Sequence, residues 1–300
     1  MTSLDSRLDI RPMAGSLGAD IDLAGPVDDA LFAAIRQALD DHLVIHLHGL
    51  DLAPQDLVAL TRRFGTISRA PYITHMAEHP DIVAVKKSAD ERKVSTFGNA
   101  WHSDFSFLDQ PPMASLLYAV QVPSHGGDTL FANMYDAYDA LSDGMKALLD
   151  GLDSMHSGKP YGTGGVPGNV AVSKSIGIER NRPEADREVA HPVVRVHPAT
   201  GRKALFINSI YTQRFAGMTA EESKPLLDFL YAHAIRPEFT CRLRWKAGDL
   251  AIWDNRCTLH YAVNDYDGQD RLLYRTMVQG ERPVPAIPRE TLRSFETALA

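Results

Sequence analysis

Cys241-Arg-Leu-Arg-Trp245-Lys-Ala-Gly-Asp249-Leu-Ala-Ile-Trp253 is the stretch that decides the fold. It reads as two strands, Cys241–Trp245 and Leu250–Trp253, joined by a Lys-Ala-Gly-Asp turn. Leu272–Val278 adds a third, so the last third of the chain is strand-rich. Upstream, strand signals recur at Leu43–Leu47, Ile82–Val85, Ala114–Val120, Thr129–Ala132, Val193–His197 and Ala204–Asn208. Pro123-Ser-His-Gly-Gly-Asp128 and a Gly201-centred turn separate four of these runs.

Helices flank this core. Leu31, Ile35 and Leu39 recur every four residues behind Asp28, a candidate N-cap, which predicts a helix near 28–41. Leu57, Leu60 and Phe64 give a second helix, stopped by Gly65. Ser142 caps a third, and Thr219 with Glu222 makes a capping box for a fourth through Leu226, Leu227 and Leu230. Residues 157–190, with the glycine cluster Tyr161–Gly168, read as a long lid loop. No repeat or linker divides residues 1–300. The expectation is a single domain, mainly β with flanking helices, on a jelly-roll or double-stranded β-helix (cupin-like) core rather than an α/β layer fold.

Bulk properties narrow the function. A net charge of −7 argues against nucleic acid as the main partner. Two cysteines, Cys241 and Cys257, rule out a disulfide framework or a cysteine-based zinc site. No apolar run is long enough to span a membrane. The N-terminus lacks the basic start and apolar stretch of a signal peptide, so a cytoplasmic protein is expected.

The chemistry is signalled by Trp101-His102-Ser103-Asp104. With 12 His and 27 Asp in 300 residues, about one His-x-Asp pair is expected by chance, and two occur. His79-Pro80-Asp81 is the poorer one, because proline suits a turn or a strand edge. Around the other, Trp101, Phe105 and Phe107 favour an extended segment, which would put His102 and Asp104 on one face. His260, after the strand and turn ending in Trp253-Asp254-Asn255, could supply a third ligand. Two histidines and a carboxylate on adjacent corners of a metal leave open positions and suit ferrous iron. Arg271 and Arg275 are four apart, so on a strand they share a face with Leu273, and guanidinium groups bind carboxylates bidentately.

Trp101–Phe105, Gly126-Gly-Asp-Thr129, Trp253-Asp-Asn-Arg-Cys-Thr-Leu-His260 and Arg271-Leu-Leu-Tyr-Arg275 together resemble the taurine dioxygenase/aryloxyalkanoate dioxygenase family over roughly residues 8–283. His191–Pro198 and Gly201–Asn208 continue the similarity. The resemblance implies an Fe(II)- and 2-oxoglutarate-dependent dioxygenase that consumes O2 and hydroxylates a small anionic organic substrate. Hydroxylation beside a heteroatom would cleave that substrate to a carbonyl product. It further implies that His102, Asp104 and His260 bind iron and that Arg271 and Thr129 hold the distal carboxylate of 2-oxoglutarate. Arg275 would face the inner end of the co-substrate or the head of the prime substrate.

Ala70 and Ile73 stand where the taurine enzymes carry a histidine and a tyrosine, which favours an aryloxyalkanoate-like acid over taurine. An alkylsulfonate or alkyl sulfate is the alternative. Tyr72, Asn99, Phe107 and Tyr211 are further candidates for the substrate wall. Two rival classes share the triad: a cupin-like metalloprotein without 2-oxoglutarate chemistry, and a catalytically silent binding barrel. By analogy with the family, a homo-oligomer (dimer or tetramer) is expected.

Overall fold

The strand predicted at Leu250–Trp253 runs through the middle of the largest sheet. In the computed structural model, residues 6–164 and 173–287 are described. The strands are β1 (Leu8–Pro12), β2 (Ala19–Leu23), β3 (Val44–Leu47), β4 (Val83–Lys87), β5 (Ala114–Gln121), β6 (Thr129–Asn133), β7 (Asp153–Ser157) and β8 (Glu188–Pro192). They continue as β9 (Val194–Val196), β10 (Lys203–Leu205), β11 (Thr212–Phe215), β12 (Thr240–Leu243), β13 (Leu250–Asp254), β14 (Thr258–Ala262), β15 (Arg271–Val278) and β16 (Val284–Pro285). The α-helices are α1 (Asp29–His42), α2 (Pro54–Phe64), α3 (Met134–Asp139), α4 (Asp143–Leu149) and α5 (Ala220–Ala234).

A seven-stranded sheet has the order β1-β2-β3-β13-β5-β15-β4, and three-stranded sheets are formed by β12-β6-β14, β11-β7-β8 and β10-β9-β16. All pairings are antiparallel except β2 with β3. Every residue of β13 is buried, because the strand is covered on both faces. Leu250 and Ile252 pack with Leu31, Ile35 and Leu57 of α1 and α2. Ala251 and Trp253 point the other way, into the cluster that holds Phe131 of β6 and Leu259 of β14. The second face of the large sheet therefore meets the β12-β6-β14 sheet, and the functional residues lie between them.

Helix ends follow the local chemistry. Asp28 caps α1 by accepting from the Leu31 N–H at 2.9 Å, and Leu43 in the left-handed region ends it. Thr219 and Glu222 form the expected capping box at the start of α5.

Three differences from the sequence reading matter. β7, β8 and β11 make a sheet that the sequence did not announce, so the 157–190 segment is bracketed by strands and shortened by 3-10 turns at Lys159–Tyr161 and Pro183–Asp186. Its residues 165–168, the end of the glycine cluster, lie outside the described residues. The His102–Phe107 stretch is not a strand. His102 makes a lone bridge, after which Asp104 enters a turn and Phe105 adopts φ +46. Finally, His260 sits within its own strand, β14, rather than at the end of one.

Candidate active site

Two backbone hydrogen bonds bring the histidines together. The His102 N–H donates to the His260 carbonyl at 3.1 Å and the His260 N–H to the His102 carbonyl at 2.8 Å. Their rings end 4.1 Å apart, centroid to centroid. Asp104 reaches the same place from its turn, which is tied to the β13–β14 turn. There the Ser103 hydroxyl donates to the Asn255 carbonyl at 2.7 Å and the Asp104 N–H to the Asn255 side-chain oxygen at 3.4 Å.

Asp104 Oδ1 lies 3.7 Å from His102 Nε2 and 3.9 Å from His260 Nε2. Those separations exceed a hydrogen bond. Three buried donor atoms surround one point without bonding to each other. Other groups hold the carboxylate: the Ser115 hydroxyl donates to Oδ2 at 2.7 Å and Arg275 Nη1 to Oδ1 at 3.1 Å. Ser115 in turn accepts from Asn255 Nδ2 at 2.9 Å, and Asn255 accepts from Trp253 Nε1 at 2.9 Å.

Protonation follows from these contacts. His102 Nδ1 lies 2.7 Å from the Ala100 carbonyl, which can only accept, so the proton sits on Nδ1 and Nε2 presents a lone pair. Burial lowers the His102 pKa and pushes that of His260 down to about 3, which keeps both rings neutral. Burial alone would raise the Asp104 pKa. The Arg275 charge, with His260, His102 and Ser115, overrides it and holds the carboxyl at about 2. Two neutral imidazoles and one carboxylate form a donor set suited to a divalent metal.

Arg271, Leu273 and Arg275 share one face of β15, all buried. Arg275 packs between Phe97 and Phe105, its guanidinium carbon 5.2 and 5.4 Å from the ring centroids. Its Nε and Nη2 have no partner. Arg271 is 3% exposed and lies over the Tyr266 ring at 5.8 Å. Among the described residues no carboxylate lies within 4 Å of it, and burial lowers its pKa against the weaker opposing pull of Tyr266 and the more distant Asp128. A buried cation without a counter-charge is costly, and an anionic ligand would complete it.

The Gly126-Gly127 turn fits closely here. Both residues have positive φ, and a Cβ on Gly127 would approach Arg271 Cδ to 3.3 Å. Thr129, at the start of β6, accepts from Trp245 Nε1 at 3.0 Å, which leaves its hydroxyl proton to donate.

A cavity of about 330 Å³ opens beside His102. Of the residues predicted for the substrate wall, Asn99 and Tyr211 line it. Phe107 and Tyr72 stand behind: Phe107 contacts Tyr211 at 5.0 Å, and Tyr72 contacts Tyr161 at 5.5 Å, between ring centroids. Ile73 is bridged to Ile178, a lining residue. Ala70 is buried and its carbonyl contacts His75, but it is not part of the lining.

Ile178 and Arg180 line the cavity without having been singled out in the sequence, and Tyr161, named only as the start of the glycine cluster, lines it too. Ser115 was not singled out either; Asn255 stood in the Trp253–His260 block, but the contacts that give both residues their roles are long-range. The competing pair His79–Asp81 falls away, since Asp81 is spent on Arg62 and Arg69 at 3.1 and 2.9 Å.

A second His–Asp group lies where β2, β3 and the start of β13 meet. His46 contacts Asp20 and Asp249 at 2.9 and 3.0 Å, and His48 contacts the same two carboxylates at 3.0 and 3.1 Å.

Comparison with known proteins agrees with this geometry. Residues 9–277 match the family described as taurine catabolism dioxygenase TauD, TfdA family. An alpha-ketoglutarate-dependent sulfate ester dioxygenase of Pseudomonas putida is 36% identical over 284 residues, covering 92% of this chain and 91% of that protein. An alpha-ketoglutarate-dependent 2,4-dichlorophenoxyacetate dioxygenase of Cupriavidus pinatubonensis is 34% identical over 84% of this chain and 89% of its own length. The crystal structure of a taurine dioxygenase from Burkholderia xenovorans superposes with a TM-score of 0.76 at 33% identity, over 93% of each chain. On this sequence match and this shared fold, the chain belongs to the TauD/TfdA dioxygenase family.

Proposed function

We propose that this chain, as a single double-stranded β-helix domain, hydroxylates a small anionic organic substrate: a carboxylate, sulfonate or sulfate ester. Attack beside a heteroatom would collapse the product to a carbonyl compound. The reaction class comes with family membership: the chain is a 2-oxoglutarate-dependent non-haem iron dioxygenase using Fe(II), 2-oxoglutarate and O2. In this reading His102, Asp104 and His260 hold the iron. Arg271 and Thr129 hold the distal carboxylate of 2-oxoglutarate. When bound, iron and co-substrate supply the oxidising chemistry, with succinate and carbon dioxide as co-products.

The protein's own part is positioning and exclusion of water. Arg275 and Ser115 each bond one oxygen of Asp104, so its carboxylate cannot rotate away from the histidines. Phe97 and Phe105 sandwich Arg275 and keep the surroundings of that ion pair dry, where charge interactions are stronger. Tyr211 stands edge-on to His102 with ring centroids 6.4 Å apart and closes one side of the cavity.

One observation carries the reading: two buried histidines and a carboxylate converge without bonding to one another, beside β15, whose buried face also carries Arg271, a guanidinium with no carboxylate within 4 Å among the described residues. A cupin-like metalloprotein without 2-oxoglutarate gives no account of Arg271.

The apolar Ala70 and Ile73 do not select an aryloxyalkanoate over a sulfate ester, because relatives named for each have similar identity to this chain. Both buried cysteines are unpaired, which suits a cytoplasmic setting. A homo-oligomer remains part of the proposal.

The test is succinate release from 2-oxoglutarate and Fe(II) across alkyl sulfates, sulfonates and aryloxyalkanoates. At least one anion should stimulate release well above the unstimulated rate. Stimulation by neutral compounds only would overturn the proposal.

A further inference from the structure

Arg180 lines the same cavity as His102, and among the described residues it is the only permanently charged side chain in that lining. The segment that carries it is held on both sides. Ile178 bridges Ile73. The Glu179 N–H donates to the Tyr72 carbonyl at 2.8 Å, and the Arg182 N–H to the Tyr161 carbonyl at 3.1 Å. Between them Asn181 takes φ +57, a left-handed conformation that asparagine tolerates better than most residues.

Arg180 Nη1 donates to the Pro160 carbonyl at 2.7 Å. No carboxylate lies within 4 Å of it among the described residues, so its charge is uncompensated. Its remaining N–H groups are not engaged by any acidic side chain. Arg275 differs, because its Nη1 is committed to Asp104.

We propose that Arg180 recognises the anionic head of the prime substrate and thereby fixes which carbon lies beside the triad. This rests on the reading that the substrate is a small organic anion. A guanidinium pairs in two-point fashion with a carboxylate, a sulfonate or a sulfate. Phe97, Ile178, Ile210 and Tyr211 supply apolar wall for the carbon skeleton. With Arg180 holding the head group, Arg275 is left to Asp104 and the inner end of 2-oxoglutarate.

The experiment uses matched pairs that share a skeleton: phenoxyacetate with its methyl ester, and hexyl sulfate with hexanol. Each is titrated calorimetrically, without oxygen, into protein loaded with Fe(II) and 2-oxoglutarate. Wild type should prefer the anionic member of at least one pair. Arg180→Met should weaken that anion by about tenfold or more, the loss of a charge-assisted contact, and leave its neutral partner unchanged. Which pair responds separates carboxylate from sulfate recognition.

Affinity for 2-oxoglutarate, measured on the same samples, should stay within about twofold, a much smaller change than losing a charged contact would cause. If Arg180→Met also loses 2-oxoglutarate, Arg180→Lys decides: retained anion preference supports the proposal, and loss equal to that of methionine overturns it. Undiminished anion preference in Arg180→Met overturns it directly. A wild type that prefers neither member removes the small-anion reading itself, and this proposal with it.

Discussion

Among the described residues, two of the places where histidines and aspartates gather differ in what they leave unspent. In the group at Asp20, His46, His48 and Asp249, all four ring nitrogens lie within 3.1 Å of a carboxylate oxygen. Each nitrogen faces a carboxylate inside the protein, and the group fastens β2, β3 and the start of β13. In the group at His102, Asp104 and His260 the nearest ring nitrogens stay 3.7 and 3.9 Å from the carboxylate. The contacts that fix its ligands come from outside: Ala100 on His102, Ser115 and Arg275 on Asp104. Composition is nearly the same in the two places. In the proposed reading, support from behind with inner lone pairs left free marks the metal centre, and ring nitrogens already set against carboxylates mark a structural clasp.

That contrast can be broken or sharpened by substitution. The largest effect is expected at the triad: Asp104→Ala should cut succinate formation by about a thousandfold or more, because the metal centre supplies several kcal/mol of barrier lowering. Melting temperature, measured alongside, should not fall in proportion. Next comes Arg271→Met, expected to raise the KM for 2-oxoglutarate by about 10- to 100-fold, with iron affinity little changed. An unaltered KM would show that Arg271 is not the co-substrate anchor.

Ser115→Ala removes one support of Asp104 and should cost about tenfold in iron affinity or turnover, the usual scale for a group behind a ligand. Equal loss in Ser115→Ala and Asp104→Ala would mean that the carboxylate acts through its setting rather than as a ligand.

The smallest effect on activity is expected at the clasp. Asp249→Asn should leave turnover near wild type and lower thermal stability instead. Burial opposes the charge on Asp249, yet hydrogen bonds from His46 and the Lys246 N–H lower its pKa below the ordinary carboxylate value. A carboxyl depressed on folding stabilises the fold above its unfolded pKa of about 3.9 and loses that contribution as pH falls through the folded value. Melting curves below about pH 4 should therefore show a shallower acid-side decline in Asp249→Asn than in wild type. Parallel curves would remove the clasp from the pH dependence.

Much of the frame was legible in the sequence because it rests on local signals. Asp28 and the four-residue spacing of Leu31, Ile35 and Leu39 mark α1; the Thr219–Glu222 box marks α5; the apolar run at Leu250 marks β13. His102, Asp104 and His260, which the structure brings together, were also readable as a set. The backbone that presents them was not. Trp101, Phe105 and Phe107 have strand propensities, yet the chain turns at Asp104 because Ser115, Asn255 and Arg275, remote in sequence, hold that carboxylate and its backbone. Propensity cannot anticipate such contacts. For the same reason nothing in the sequence set Arg180 apart. Its meaning comes from Tyr72 and Tyr161, which hold the flanking peptide groups from other parts of the chain.

Anaerobic titration of the metal-free protein with Fe(II) tests the central claim most directly, with His102→Ala and His46→Ala compared against wild type. The account predicts that wild type and His46→Ala each take up one equivalent with similar affinity, while His102→Ala loses that binding. Retained binding in His102→Ala together with loss in His46→Ala would contradict it, by placing the metal in the clasp rather than at the triad.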